Sequence, residues 1–136
     1  MTMSHRLILA LMLVMFAWGC QPKETEVSPI PKAPAATTEG ERMGDIMMQA
    51  NHWDDALAQY EMAGAMGADQ ASVAFRKGFV YLSKQEWETA LTYFEMAIAA
   101  DSGMTLAYEG AGTASLEVGE LDRAVAYFEE AVRLSP

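Results

Sequence analysis

The chain has 136 residues, 19 of them acidic against 9 basic, for a formal net charge of −10. That sign argues against nucleic acid and against direct adhesion to an anionic lipid surface, since both repel it. A single cysteine excludes an intramolecular disulfide, and two histidines leave little for acid–base or metal chemistry.

Residues 1–20 begin with His5 and Arg6, run without charge from Leu7 to Phe16 and close on Ala17-Trp18-Gly19-Cys20. A bilayer-spanning helix needs about 20 apolar residues, so this run has the proportions of a signal peptide instead. A short uncleaved anchor and a secretory signal cut near Gly19 are the alternatives. A small residue followed by cysteine at the end of the run resembles the bacterial lipobox. The resemblance implies a diacylglycerol on the Cys20 sulfur, removal of residues 1–19 and acylation of the new amino group. Gln21 stands where an Asp resembles an inner-membrane retention signal, so the expected place is the outer membrane of a bacterial envelope, facing the periplasm. Residues 20–38 carry Pro22, Pro29, Pro31 and Pro34 among Lys, Glu, Ser and Thr. Too little of this stretch is apolar to fold, and it is expected to be an extended tether.

From residue 37 onward the same residue types recur every 34 positions. Gly44, Gly78 and Gly112 form one set, and Ala56, Ala90 and Ala124 another. Tyr60, Phe94 and Phe128 form a third, and Ala63, Ala97 and Ala131 a fourth. Trp53, Trp87 and Leu121 keep one phase; Leu57, Leu91 and Val125 keep another. A fixed period of this size marks stacked structural units. Apolar residues at helical spacing predict helices over 71–84 and 87–100, and again over 106–118 and 121–134. Breaks fall at 84–86 and at Gly119. The first helix of the first unit is the weakest, since Gly40 and Gly44 each cost about 1 kcal/mol of helix stability. Met43, Met47, Met48, Met62 and Met66 are expected to fill that unit's core. Gly78 and Gly112 are expected to face Ala90 and Ala124 so that paired helices approach closely. Phe94 and Phe128 then fill the gap to the neighbouring helix.

These residues resemble the tetratricopeptide repeat family. The second unit supplies Gly78, Tyr81, Ala90, Phe94 and Ala97 at the pattern positions, with Ser102 at the proline site. The third supplies Gly112, Ala124, Phe128, Ala131 and Pro136, with Ser115 where a ring is usual. The first supplies Gly44, Met47, Ala56, Tyr60 and Ala63. The resemblance implies an all-α fold, an α-solenoid of three helix-turn-helix repeats at about 37–70, 71–104 and 105–136 after the tether. It also implies a concave face lined by the first helix of each unit. There Met48, Phe75, Phe79, Leu82, Leu106 and Leu116 make an apolar strip, with Arg42 and Arg76 at its edge, as a candidate protein-binding groove. The chaperone-tail clamp of this family uses Lys and Asn on that face. Here Glu41, Phe75 and Glu109, then Asp45, Phe79 and Thr113, stand instead, so capture of a peptide carboxylate is not expected. Repeat arrays usually close with a polar helix. Pro136 ends the third unit, so Val125, Val132 and Leu134 are expected to form a further interface, for a partner or in a homodimer.

Catalysis has little to work with. His5 falls in the signal and His52 in a turn, and no Cys/His cluster, phosphate-cradling Gly-rich loop or Ser/His/Asp set is present. Asp54-Asp55 and Glu129-Glu130 lie on helix exteriors, without the burial that separates the pKa values of a catalytic pair. The expectation is no enzyme, no metal and no cofactor beyond the covalent lipid. The reading that results is a lipid-anchored envelope scaffold whose repeats hold another envelope protein. It is similar to small tetratricopeptide lipoproteins, some of which assist assembly of pilus, secretion or outer-membrane machinery. A self-associating structural lipoprotein is the second reading and an accessory ligand-binding protein the third.

Overall fold

A computed structural model describes residues 38–136; the expected signal peptide, Cys20 and the tether through residue 37 lie outside them. The described chain forms six helices and no strand. They are α1 (Glu39–Gln49), α2 (Trp53–Ala65), α3 (Gln70–Ser83), α4 (Trp87–Ala100), α5 (Thr105–Val118) and α6 (Leu121–Leu134). Each helix packs on the one before it, and α3 also touches α5. Adjacent pairs thus form three repeats, with α1, α3 and α5 as first helices.

The helix starts are fixed locally. Thr38 caps α1 in a capping box: its hydroxyl accepts from the Glu41 backbone N–H at 3.2 Å, and the Glu41 carboxylate accepts from the Thr38 N–H at 2.9 Å. Asp69 caps α3 by accepting from the Ser72 N–H at 2.7 Å. The turn inside each repeat uses one left-handed residue, at the same phase every time. Asn51 and Gln85 adopt φ of 60° and 63° there, and Gly119 adopts 93°. Asn tolerates this region through its short polar side chain, whereas Gln85 carries the roughly 1–2 kcal/mol steric penalty of an ordinary residue.

Packing within a repeat differs from the expected pairing of glycine with alanine. The neighbour of Gly78 is the Phe94 ring of its own repeat, not Ala90. A Cβ at Gly78 would stand 2.9 Å from Phe94 Cδ1, and one at Gly110 would stand 2.6 Å from Phe94 Cε1. The ring therefore lies between two glycines, one in its own repeat and one in the next, and is fully buried. The alanines Ala56, Ala90 and Ala124 are also fully buried, so close helix approach holds at that phase too.

The core is divided. One cluster contains Phe75, Leu91, Phe94, Ala97, Ala107, Ala111 and Ala114 and joins the second and third repeats. The other contains Ala56, Tyr60, Ala63, Val73 and Val80 and joins the first and second, with Met47, Met48, Trp53 and Leu57 packed against it. Met62 and Met66 do not fill the first unit; they are 55% and 81% exposed.

Candidate protein-interaction surface

The first helices present four residues of each repeat along one face. They are Thr38, Glu41, Asp45 and Met48 on α1, Ser72, Phe75, Phe79 and Leu82 on α3, and Leu106, Glu109, Thr113 and Leu116 on α5. What each can do depends on the seam between successive first helices.

The seam between α1 and α3 is polar and buried. Glu41 and Arg76 are 0% and 2% exposed. The Arg76 guanidinium lies 3.5 Å from Glu41 Oε1 and donates to Asp45 Oδ1. Ser72 donates its hydroxyl to Glu41 Oε1 at 2.6 Å, and the Thr38 hydroxyl donates to Oε2 at 3.0 Å. Tyr60 donates to Asp45 at 2.7 Å, and Arg76 sits over the Tyr60 ring at 6.0 Å from its centroid. Burial, then the hydrogen bond to Asp45, pushes the Tyr60 phenol well above its ordinary pKa. Both carboxylates of this seam therefore share the Arg76 guanidinium and accept from hydroxyls, as buried charge must if it is not to destabilise the fold.

The seam between α3 and α5 uses the same four phases with opposite chemistry. Phe75 stands for Glu41, Phe79 for Asp45, Leu106 for Ser72 and Gly110 for Arg76. Phe75 stacks with Phe79 at 6.5 Å and tilts against Phe94 at 5.8 Å. Phe79, Leu82 and Leu106 are half-buried against this cluster.

These placements sort the expected groove residues. Phe75 is 2% exposed and belongs to the core; α5 and the Phe94 ring cover it, so no partner can reach it. Arg76 is not at the edge of a groove; it is held between the carboxylates of α1. Phe79, Leu82 and Leu106 keep one open side, and Leu116 is 47% exposed, so an apolar strip remains along α3 and α5. Met48 packs on the first repeat's cluster instead. Arg42 is exposed and paired with Glu39 one turn away.

The outer surface holds the rest. Lys77, at a phase that usually carries an apolar residue, keeps its stem packed, pairs with Glu61 at 3.2 Å and lies 5.0 Å from the Tyr93 ring centroid. His52 is exposed in the turn before α2, 3.5 Å from Asp55. Val125 and Val132 are exposed on α6, and Leu134 is half-buried. Among the described residues no group of three His, Cys, Asp or Glu side chains converges as a metal site requires. None of the described helices is long and apolar enough to cross a membrane. The sequence carries one signal of the buried charge network: Glu41 and Arg76 lie one period plus one residue apart, where successive first helices meet.

The second repeat domain of Spaghetti (RPAP3), bound to the HSP90 peptide SRMEEVD, is similar to this chain: TM-score 0.67 and 24% identity over 71% of this chain and 89% of that one. The second such domain of human RPAP3, in complex with the HSP70 peptide SGPTIEEVD, gives 0.66 and 25% over 71% and 81%. MamA gives 0.65 and 26% over 70% of this chain and 56% of MamA. No curated protein sequence matches the chain. Residues 42–105 match the tetratricopeptide repeat family. Sequence match, helix pairing and the glycine-against-ring packing agree, and residues 42–105 carry tetratricopeptide repeats.

Proposed function

We propose that this chain is a lipid-anchored adaptor of the bacterial envelope that holds a segment of another envelope protein against its first helices, in the assembly of a pilus, secretion or outer-membrane complex. It performs no catalysis of its own. The observation that carries the binding part is the apolar strip of Phe79, Leu82, Leu106 and Leu116, open on a surface otherwise rich in carboxylates. Exposed apolar patches rimmed by polar residues mark interaction sites. That similar domains of RPAP3 hold peptides supports the same use of the surface here. The occupant differs in charge. Asp45 and Glu109 stand half-buried on the first helices, and Arg76 between them is already held by carboxylates. A tail as acidic as EEVD is repelled; an apolar, neutral or basic segment is favoured.

The anchor rests on Gly19-Cys20 at the end of the apolar run. The test uses a photo-crosslinking residue at Leu116 in the full chain, in intact cells, with identification of the trapped protein. Phe79→Ser with Leu82→Ser should abolish the crosslink while helicity stays near wild type, and Cys20→Ser should release the chain from the membrane. An unmodified Cys20 thiol in the mature protein removes the anchor. A crosslink indifferent to Phe79 and Leu82 removes the strip as the binding surface.

A further inference from the structure

Three positions on each later first helix, α3 and α5, seat on the repeat before it. On α3 these are Val73, Arg76 and Val80, which are 6%, 2% and 0% exposed. One period earlier the same phases on α1 are Glu39, Arg42 and Ile46, and all three face outward. Ile46 is 55% exposed, and the side chains of Glu39 and Arg42 are 72% and 65% exposed. The residues that receive a following repeat show the same contrast. Leu91 and Phe94 on α4 are 7% and 0% exposed, but Val125 on α6 is 55% exposed and Phe128 is only half-buried. Val132, at the phase of Ile98, is 75% exposed. The helical stack thus carries a docking face on α1 and a receiving face on α5 and α6, and among the described residues neither is covered.

The two faces match in charge as well as in phase. Inside the chain Arg76 lies over the Tyr60 ring and against Glu41. One period before Arg76 is Arg42, two periods after Tyr60 is Phe128, and two periods after Glu41 is Glu109. A second copy presenting its α1 would place Arg42 over the Phe128 ring and against Glu109. The pair now holding Arg42, to Glu39 one turn away, is exposed, and such pairs are worth only about 0–1 kcal/mol. Ile46 would meet the patch of Val125 and Phe128, as Val80 joins the cluster of Tyr60 against which Leu57 packs.

We propose that copies of this chain associate head to tail, α1 of one seating on α5 and α6 of the next, so that the repeat stack continues across molecules. The interface is heterologous and leaves a free face at each end, so it builds a chain of copies rather than a two-fold dimer. It uses neither Phe79 nor Leu82, and it stands or falls separately from the groove.

The test is disulfide crosslinking of the full chain in cells. At the first internal seam a Cβ at Gly64 would lie 3.5 Å from Val73 Cγ1. Val132 and Glu39 occupy those two phases. Glu39→Cys and Val132→Cys in one chain should give an oxidant-dependent ladder of dimers, trimers and larger species. Either substitution alone, like the wild-type chain with Cys20, should give no ladder. A dimer from Val132→Cys alone, or no ladder from a double variant with native helicity, overturns the proposal. Charge reversal supplies a second reading. Arg42→Glu alone and Glu109→Arg alone should each abolish the assembly of copies into larger species. Mixing the two variants should restore it, because every junction then pairs opposite charges. Assembly unaffected by either reversal also overturns it.

Discussion

The two seams between first helices occupy the same four phases and solve the same packing problem in opposite ways. Between α1 and α3, Glu41, Asp45, Ser72 and Arg76 exchange hydrogen bonds and charge out of water. Between α3 and α5, Phe75, Phe79, Leu106 and Gly110 exclude water with rings that lie where backbone approaches backbone. A repeat period constrains which positions meet, not which chemistry joins them. Apolar burial is tolerant of small shifts, whereas a buried charge network contributes only when complete. The first seam is therefore the brittle one and the second the strong one.

Five substitutions, one of them added to another, test that contrast. The largest effect should come at the apolar seam, from Phe94→Ala. The ring is fully buried and fills the space above both Gly78 and Gly110, so its loss should cost about 3–5 kcal/mol in urea unfolding. A cost near 1 kcal/mol would mean that the second seam does not depend on this ring. At the charged seam, Arg76→Leu leaves Glu41 buried without its cation. The expected loss is at the lower end of the roughly 3–5 kcal/mol seen for broken buried pairs, because Asp45 retains access to water. Adding Glu41→Leu to Arg76→Leu converts the seam toward the apolar kind and should recover most of the loss. A double variant as unstable as the single one would show that shape, not charge, limits this seam.

Tyr60→Phe should be milder, about 1.5 kcal/mol at neutral pH, the lower range for a hydrogen bond to a charged acceptor. It also changes the alkaline limb. The folded state holds the phenol neutral, with its pKa raised by burial and by Asp45. That contribution is complete below the ordinary phenol pKa of about 10 and is lost as pH rises above it. Stability of the wild type should thus fall above that pH, and more steeply than that of Tyr60→Phe. Equal slopes would place the phenol outside the network. The smallest effect should be Ser115→Ala. Its hydroxyl is buried without a hydrogen-bond partner among the described residues, so removing it should change stability by less than about 1 kcal/mol, toward gain. A larger loss would reveal a partner for this hydroxyl in solution.

The helices were legible in the sequence because the 34-residue period repeats the same apolar phases three times. The expected spans 87–100 and 121–134 coincide with α4 and α6, 71–84 is shifted by one residue at both ends of α3, and 106–118 starts one residue late on α5. Individual exposures were not legible from that pattern. Phe75 was expected in the groove because its phase faces inward, but α5 covers it with a surface made small by Ala107, Ala111 and Gly110. The sequence puts Arg76 at the groove's edge because arginine is usually solvated. Its burial depends on two acids from a helix one repeat earlier, and a repeat pattern averages such pairs away.

The burial pattern of α1 has a dynamic consequence. Its only buried residues are Glu41 and Gly44, so no apolar side chain of this helix is fully withdrawn from water. In a stacked array, stability is close to a sum of unit and neighbour contributions, and units can open one at a time. The amide protons of α1 should therefore exchange with deuterium through a local opening that leaves the α3–α5 seam closed. Those of α3 and α4 should exchange only when the stack itself unfolds.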